Sequence, residues 1–139
     1  MRVASRYYKG PELLVDDRLY HYSLDIWSLG CTLAGMLFKM DTLFKGSDNF
    51  DQLVKIVKVL GTPSLQDYLR NYKLSLPNEL TYTIKATEVV PWEAFVTDKN
   101  RDRVTPEGLD LLSKMLVYDK NKRITPAEAM KHPYFAPIR

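Results

Sequence analysis

The longest apolar run is Ile26 to Phe38, thirteen positions without a charge. Trp27, Leu29, Cys31, Leu33, Leu37 and Phe38 would surround a helix through it almost completely, as a helix at the centre of a domain requires. Ser23 is a fair N-cap for that helix. At 1.5 Å per residue the run spans about 20 Å, short of a ~30 Å hydrocarbon core, so it reads as a buried helix and not a membrane span. Gly30 and Gly35 weaken the helix intrinsically and point to close packing against another backbone. Cys31 reads as a small buried apolar residue.

The stretch "GSDNFDQLVKIVKVLG" carries a second helix. Asp48 is its cap, Gly61 its terminator, and Phe50, Leu53, Val54, Val57 and Leu60 fall on one face. "TPSLQDYLRNY" offers a short helix after Ser64. From Lys73 to Arg103 periodicity fades, leaving an irregular insert with one helical turn near Trp92. Two strong starts follow. Thr105-Pro106-Glu107 puts a cap and a first-turn proline before "GLDLLSKMLVYD". Thr125-Pro126-Ala127-Glu128 is a capping box opening "AEAMKHPYF", and His132-Pro133 stops that helix. No alternating strand pattern, repeat or low-complexity linker is present. The expectation is one mainly α domain.

Composition narrows the classes. Twenty basic and 17 acidic residues leave a net charge of +3 on 139 residues, too balanced for a nucleic-acid binder. The one cysteine forbids an intrachain disulfide and fits a reducing intracellular setting, cytoplasm or nucleus. His21 and His132 have no ligand partners at metal-site spacing. The first residues have no apolar core, so they are not a signal peptide. The local charge is more telling: Arg2, Arg6 and Lys9 give the first ten residues three positive charges and no acid.

"SRYYKGPE" near the start, "DIWSLG" at Asp25 to Gly30, and Arg123 ahead of "HPYF" together resemble the carboxyl-terminal lobe of a protein kinase. Gly-Pro-Glu stands where that family has Ala-Pro-Glu, closing the activation segment. "LGTP" at Leu60 to Pro63 is similar to the group of cyclin-dependent and mitogen-activated kinases. "RVASRYYKGPELLVD" and "DNFDQLVKIVKVLGT" are similar to the casein kinase II alpha family. The resemblance spans Arg2 to Phe135. It is weakest from residue 64 to 104, where "IKATEVVPW" lacks the expected basic residues, and at "KMDTLF".

The resemblance implies a mainly α fold, the helical lobe of a kinase-like domain over residues 1–139, with the strand-rich lobe and catalytic loop absent. It implies that Glu12 pairs with Arg123, since a planar guanidinium matches a carboxylate through two parallel hydrogen bonds. Without it, the two read as unrelated surface charges. Asp25 would cap amides of a catalytic loop, or help cap its own helix. Trp27 reads as core. Arg2, Arg6 and Lys9 would receive acidic protein substrates beyond the phosphorylated residue, the alternative being a solvated basic cluster. Ser5 would help position a catalytic aspartate.

Phosphoryl transfer needs a glycine-rich loop, a phosphate-binding lysine and metal-holding carboxylates. The six glycines form no Gly-x-Gly-x-x-Gly, and no Asp-Phe-Gly occurs. "NRDR" at Asn100 to Arg103 mimics His-Arg-Asp without its histidine, and Glu107 stands where a metal-binding asparagine is needed. ATP and Mg are therefore expected of the whole family domain and not of this chain, which carries no catalytic, cofactor or metal ligand. Contacts to a regulatory subunit would lie in the strand-rich lobe. The sequence thus reads as an inactive fragment of an acid-directed serine/threonine kinase, or as a stand-alone helical module that binds acidic peptides. Apolar surface is expected to be exposed near Asp25 to Leu29.

Overall fold

The computed structural model describes residues 6–15 and 23–138. Short helix α1 (Pro11–Leu14) is followed by α2 (Ser23–Phe38), α3 (Asn49–Leu60), α4 (Thr62–Asn71) and α5 (Asn78–Thr83). A 3-10 turn (Trp92–Phe95), helix α6 (Pro106–Met115), helix α7 (Pro126–Met130) and a final 3-10 segment (Pro133–Ile138) complete the order. Among the described residues there is no strand, and no helix is long and apolar enough to cross a membrane.

Helix α2 is the axis. Trp27, Cys31, Ala34, Leu37 and Phe38 are all buried along it and share one core with Leu53 and Ile56 of α3 and Leu112 of α6. It crosses α6 so closely that a side-chain carbon on Gly30 would lie 2.8 Å from Leu116 and 3.0 Å from Met115. Only glycine fits that approach, although its neighbours there are side chains and not the expected backbone; at Gly35 the neighbour is the Met40 carbonyl, as expected. Ser23 is the first residue of α2. Leu29 and Met36 emerge on the opposite side at 53% and 62% exposure, while Ile26 and Trp27 are buried. The apolar exposure expected near residues 25–29 therefore falls on Leu29.

Helix α3 is capped as its sequence predicts: the Asp48 carboxylate accepts from the Asp51 N–H at 2.7 Å. Its buried face is rotated from the expected one. Gln52, Leu53, Ile56, Val57 and Leu60 point inward, whereas Phe50, in the first turn, is exposed. Gly61 ends α3 at φ 83°, a left-handed conformation that an L side chain rarely adopts. It also begins α4, which starts at Thr62 and not after Ser64, because Pro63 fits a helix's first turn, where its missing N–H costs nothing.

Within the insert at 64–104, the part from Lys73 to Arg103, expected to be irregular apart from a turn near Trp92, is more ordered than that. Residues 64–71 belong to α4, α5 occupies Asn78–Thr83, and the turn at Trp92 forms as expected. The chain then returns across the α3–α4 junction, where the Thr62 and Val90 N–H groups donate to Thr87 and Val59 carbonyls at 2.9 and 2.8 Å. Phe95 and Trp92 stack on Phe38 with ring centroids 5.3 and 6.5 Å away. Asn100, 2% exposed, locks this arrangement. Its amide donates to the Phe38 and Phe95 carbonyls at 3.1 and 2.9 Å, and its oxygen accepts from the Thr97 N–H at 2.8 Å. The residue that opens "NRDR" is thus a clamp for the insert. Asp102 of the same string is an exposed partner of Lys39 at 3.1 Å, whose hydrogen bond holds its carboxyl below the usual range.

Thr105 caps α6, and Thr125 with Glu128 forms the expected capping box of α7. His132 is buried beyond α7. Its Nδ1 accepts the Tyr134 N–H at 3.1 Å, so the neutral ring carries its proton on Nε2 and donates it to Asp110 at 2.7 Å.

Two outcomes test this packing. Asn100→Ala leaves three backbone groups without a partner and should destabilise the fold by about 2–3 kcal/mol in urea unfolding. Burial pushes the Cys31 thiol up from 9.0 to about 12. Between those values the unfolded chain releases a proton that the folded chain keeps, so stability is lost as pH rises through that window. Cys31→Ala should flatten that loss, and native Cys31 should resist iodoacetamide at neutral pH until denaturant is added.

Candidate functional site

Pro11 enters the first turn of α1, where its fixed φ suits helix initiation, and this directs Glu12 inward. The turn closes with the Leu13 and Val15 N–H groups donating to the Gly10 and Pro11 carbonyls at 3.1 and 3.0 Å. Glu12 is 0% exposed. Its two oxygens accept from Arg123 Nη1 and Nη2 at 2.7 and 2.6 Å, a bidentate pair across 111 residues of sequence.

Arg123 lies in the loop between α6 and α7, and its remaining donors are also used. Nε donates to the Val117 carbonyl at 2.8 Å, Nη1 to Ser23 at 3.0 Å and Nη2 to Tyr118 at 3.2 Å. The guanidinium lies over the Trp27 ring at 5.1 Å, and that ring stacks on Phe44 at 5.9 Å. Trp27 is core, as expected, and its indole Nε1 is buried without a hydrogen-bond partner among the described residues. One residue therefore joins α1, the start of α2 and the loop after α6. Each N–H of the fork has an acceptor, the condition under which a buried charge is tolerated.

The basic side chains precede this anchor. Arg6 and Lys9 are half-buried and share a turn, the Lys9 N–H donating to the Arg6 carbonyl at 3.1 Å. Both reach the start of α3 and the loop before it: Arg6 Nη1 donates to the Gly46 carbonyl at 3.0 Å and Lys9 Nζ to Asn49 Oδ1 at 3.1 Å. These acceptors are neutral, and among the described residues no carboxylate pairs with either cation. Arg2 and Ser5 lie outside the described residues. Asp25 is exposed in the first turn of α2, on a different element from Arg6 and Lys9.

Sequence reasoning missed what holds this edge in place. Gln52, 0% exposed, accepts the Gly46 N–H at 2.8 Å and donates to the Phe44 carbonyl at 2.9 Å and, more weakly, to Tyr7 at 3.4 Å. Ser28 of α2 donates to the Tyr8 carbonyl at 3.0 Å. The apolar face expected from the sequence omits both Gln52 and Ile56, which stand one turn apart and share an inward position. Among the described residues, no three His, Cys, Asp or Glu side chains converge as metal ligands would.

The described residues thus form a helical lobe whose Gly-Pro-Glu turn is tied to a buried arginine. The family model described as protein kinase domain matches residues 1–135, and the chain belongs to that family.

The anchor is testable by stability alone. Arg123→Met and Glu12→Ala each leave a buried charge unpaired and should cost about 3–5 kcal/mol. Arg123→Lys, with three donors and no planar fork, should be closer to Arg123→Met than to wild type. Combining Glu12→Ala with Arg123→Met should cost less than the sum of the two single losses in a double-mutant cycle, whereas simple additivity would show that the pair is not coupled.

Proposed function

We propose that this chain is the substrate-receiving helical part of an acid-directed serine/threonine kinase of the casein kinase II alpha type. The observation that carries this reading is that Arg6 and Lys9, beside the Gly-Pro-Glu turn, bond neutral acceptors and pair with no carboxylate among the described residues. Each cation can exchange its neutral acceptor for a substrate carboxylate, and charge-assisted bonds are about twice as strong as neutral ones. The similarity of "RVASRYYKGPELLVD" and "DNFDQLVKIVKVLGT" to that subfamily supports the same reading. Arg2 extends the basic set in sequence, and Lys9 replaces the arginine typical of proline-directed relatives.

In this reading the edge holds carboxylates that follow the acceptor hydroxyl, and so positions the hydroxyl for a catalytic loop. The chain has no Gly-x-Gly-x-x-Gly and no Asp-Phe-Gly. ATP and Mg are therefore held elsewhere in the complete catalytic unit, and this polypeptide by itself binds without transferring phosphate. The partners are acidic protein substrates in the cytoplasm or nucleus, and a regulatory subunit engages another part of the domain. A second reading, a non-catalytic module that captures acidic peptides, is favoured by one observation: the edge is held by Ser28, Asn49 and Gln52, all within this chain.

Fluorescence anisotropy with an Asp/Glu-rich peptide at low ionic strength tests the shared core of both readings. Binding should weaken as salt rises, and Arg6→Ala should reduce affinity by about threefold to fivefold, with Lys9→Glu reducing it further. Equal binding of an uncharged peptide, or none of the acidic one, would contradict the proposal. Phosphate transfer by the purified chain would overturn its inactivity.

A further inference from the structure

The loop that receives Arg6 and Lys9 resembles the acidic ligand proposed for them. Gly46 and Asn49, which supply the two acceptors, bracket Ser47 and Asp48. Ser47 is exposed, and its N–H and hydroxyl donate to Asp51 Oδ2 at 2.9 and 3.2 Å. Asp48 follows it directly and Asp51 lies four residues on. An exposed hydroxyl followed by carboxylates is the charge pattern that a basic peptide-binding edge selects.

We propose that Ser47 is a phosphorylation site, and that phosphate on it occupies the Arg6–Lys9 edge from within the chain. The competition with acidic peptides rests on the function proposed above; the modification and its contact with the two cations do not. In the step, Ser47 Oγ attacks the γ-phosphorus of ATP held by a separate acid-directed serine kinase. The Oγ–P bond forms, the bond from the γ-phosphorus to the bridging oxygen breaks, and ADP leaves. The hydroxyl proton passes to that kinase's base and then to solvent.

Charge decides where the phosphate settles. Phosphoserine brings about −1.5 to −2 charges and three strong acceptor oxygens. Arg6, Lys9, Lys45 and Lys55 surround or adjoin the loop, against the carboxylates of Asp48 and Asp51. The modification gives up the hydroxyl's bond to Asp51 and adds repulsion from that carboxylate. Asp51 retains the Ser47 N–H and Lys55 at 3.7 Å as partners. Arg6 already bonds the carbonyl of the residue before Ser47, so it meets the phosphate by a change of rotamer and not of backbone. The positive end of α3 lies on the same side. An acidic peptide then faces an edge whose cations are already paired.

The test uses the full chain, incubated with ATP and a purified acid-directed kinase, with phosphate located by mass spectrometry. Ser47 should be modified, and Ser47→Ala should lose that phosphate. Phosphorus NMR should place the second ionisation of the phosphoserine below its ordinary value of about 6, returning to it in the Arg6→Ala/Lys9→Ala variant. Acidic-peptide affinity should fall about tenfold on phosphorylation, the loss expected when two cations are withdrawn. An unmodified Ser47 under conditions that phosphorylate a control acidic peptide would overturn the site. An ordinary ionisation, insensitive to Arg6 and Lys9, would overturn the internal contact. A shifted ionisation in a chain that never binds acidic peptide would leave this contact standing and sink the function proposed above instead.

Discussion

Arg123 is the point at which the separate parts of this lobe meet. Its five N–H donors are distributed over Glu12, Ser23, Val117 and Tyr118, and its flat face lies over Trp27. No apolar residue could join a loop near the beginning of the chain, the first turn of the central helix and a loop 111 residues away with that directionality. Burial makes the arrangement expensive to disturb: the Coulomb attraction and hydrogen bonds must offset desolvation of both charges, and either charge alone is unsupported. The pair therefore constrains geometry more than it adds net stability.

That constraint passes directly to the basic edge. Glu12 fixes the α1 turn, the turn fixes where residues 6–9 leave the core, and Ser28 and Gln52 then hold the carbonyls of Tyr8 and Tyr7. Arg6 and Lys9 are left bonded to a carbonyl and an amide, acceptors that a carboxylate or phosphate outcompetes. Under the function proposed above, a surface braced from beneath lets charged ligands exchange without reorganising the backbone. The same bracing brings both cations to one short segment, Arg6 at Gly46 and Lys9 at Asn49.

Local rules made much of this lobe readable in advance. The caps at Asp48, Thr105 and Thr125, the terminator at Gly61 and the crowding at Gly30 each depend on a few neighbouring residues or on one steric demand. The features that escaped are those set by distant partners. Gln52 lies on an apolar face because it satisfies loop groups of Phe44 and Gly46, and a periodicity rule has no term for that. Asn100 resembled part of a failed catalytic motif, yet it bonds the last carbonyl of α2, 62 residues away in sequence. Helix α5 is six residues long and buries only Leu80, too little to register as an amphipathic repeat. The Glu12–Arg123 pair was legible only through family resemblance, since charge and spacing alone do not identify partners so far apart.

The central claim is that the Gly-Pro-Glu turn belongs to the same cooperative unit as the core. Native-state hydrogen exchange reads this directly at the Leu13 and Val15 amides, which close the turn. If Arg123 holds the turn as described, those amides exchange with the same free energy and denaturant dependence as the amides of α2, through global unfolding. Exchange many times faster than α2, with no denaturant dependence, would show that the turn opens on its own and that the anchor does not govern the edge.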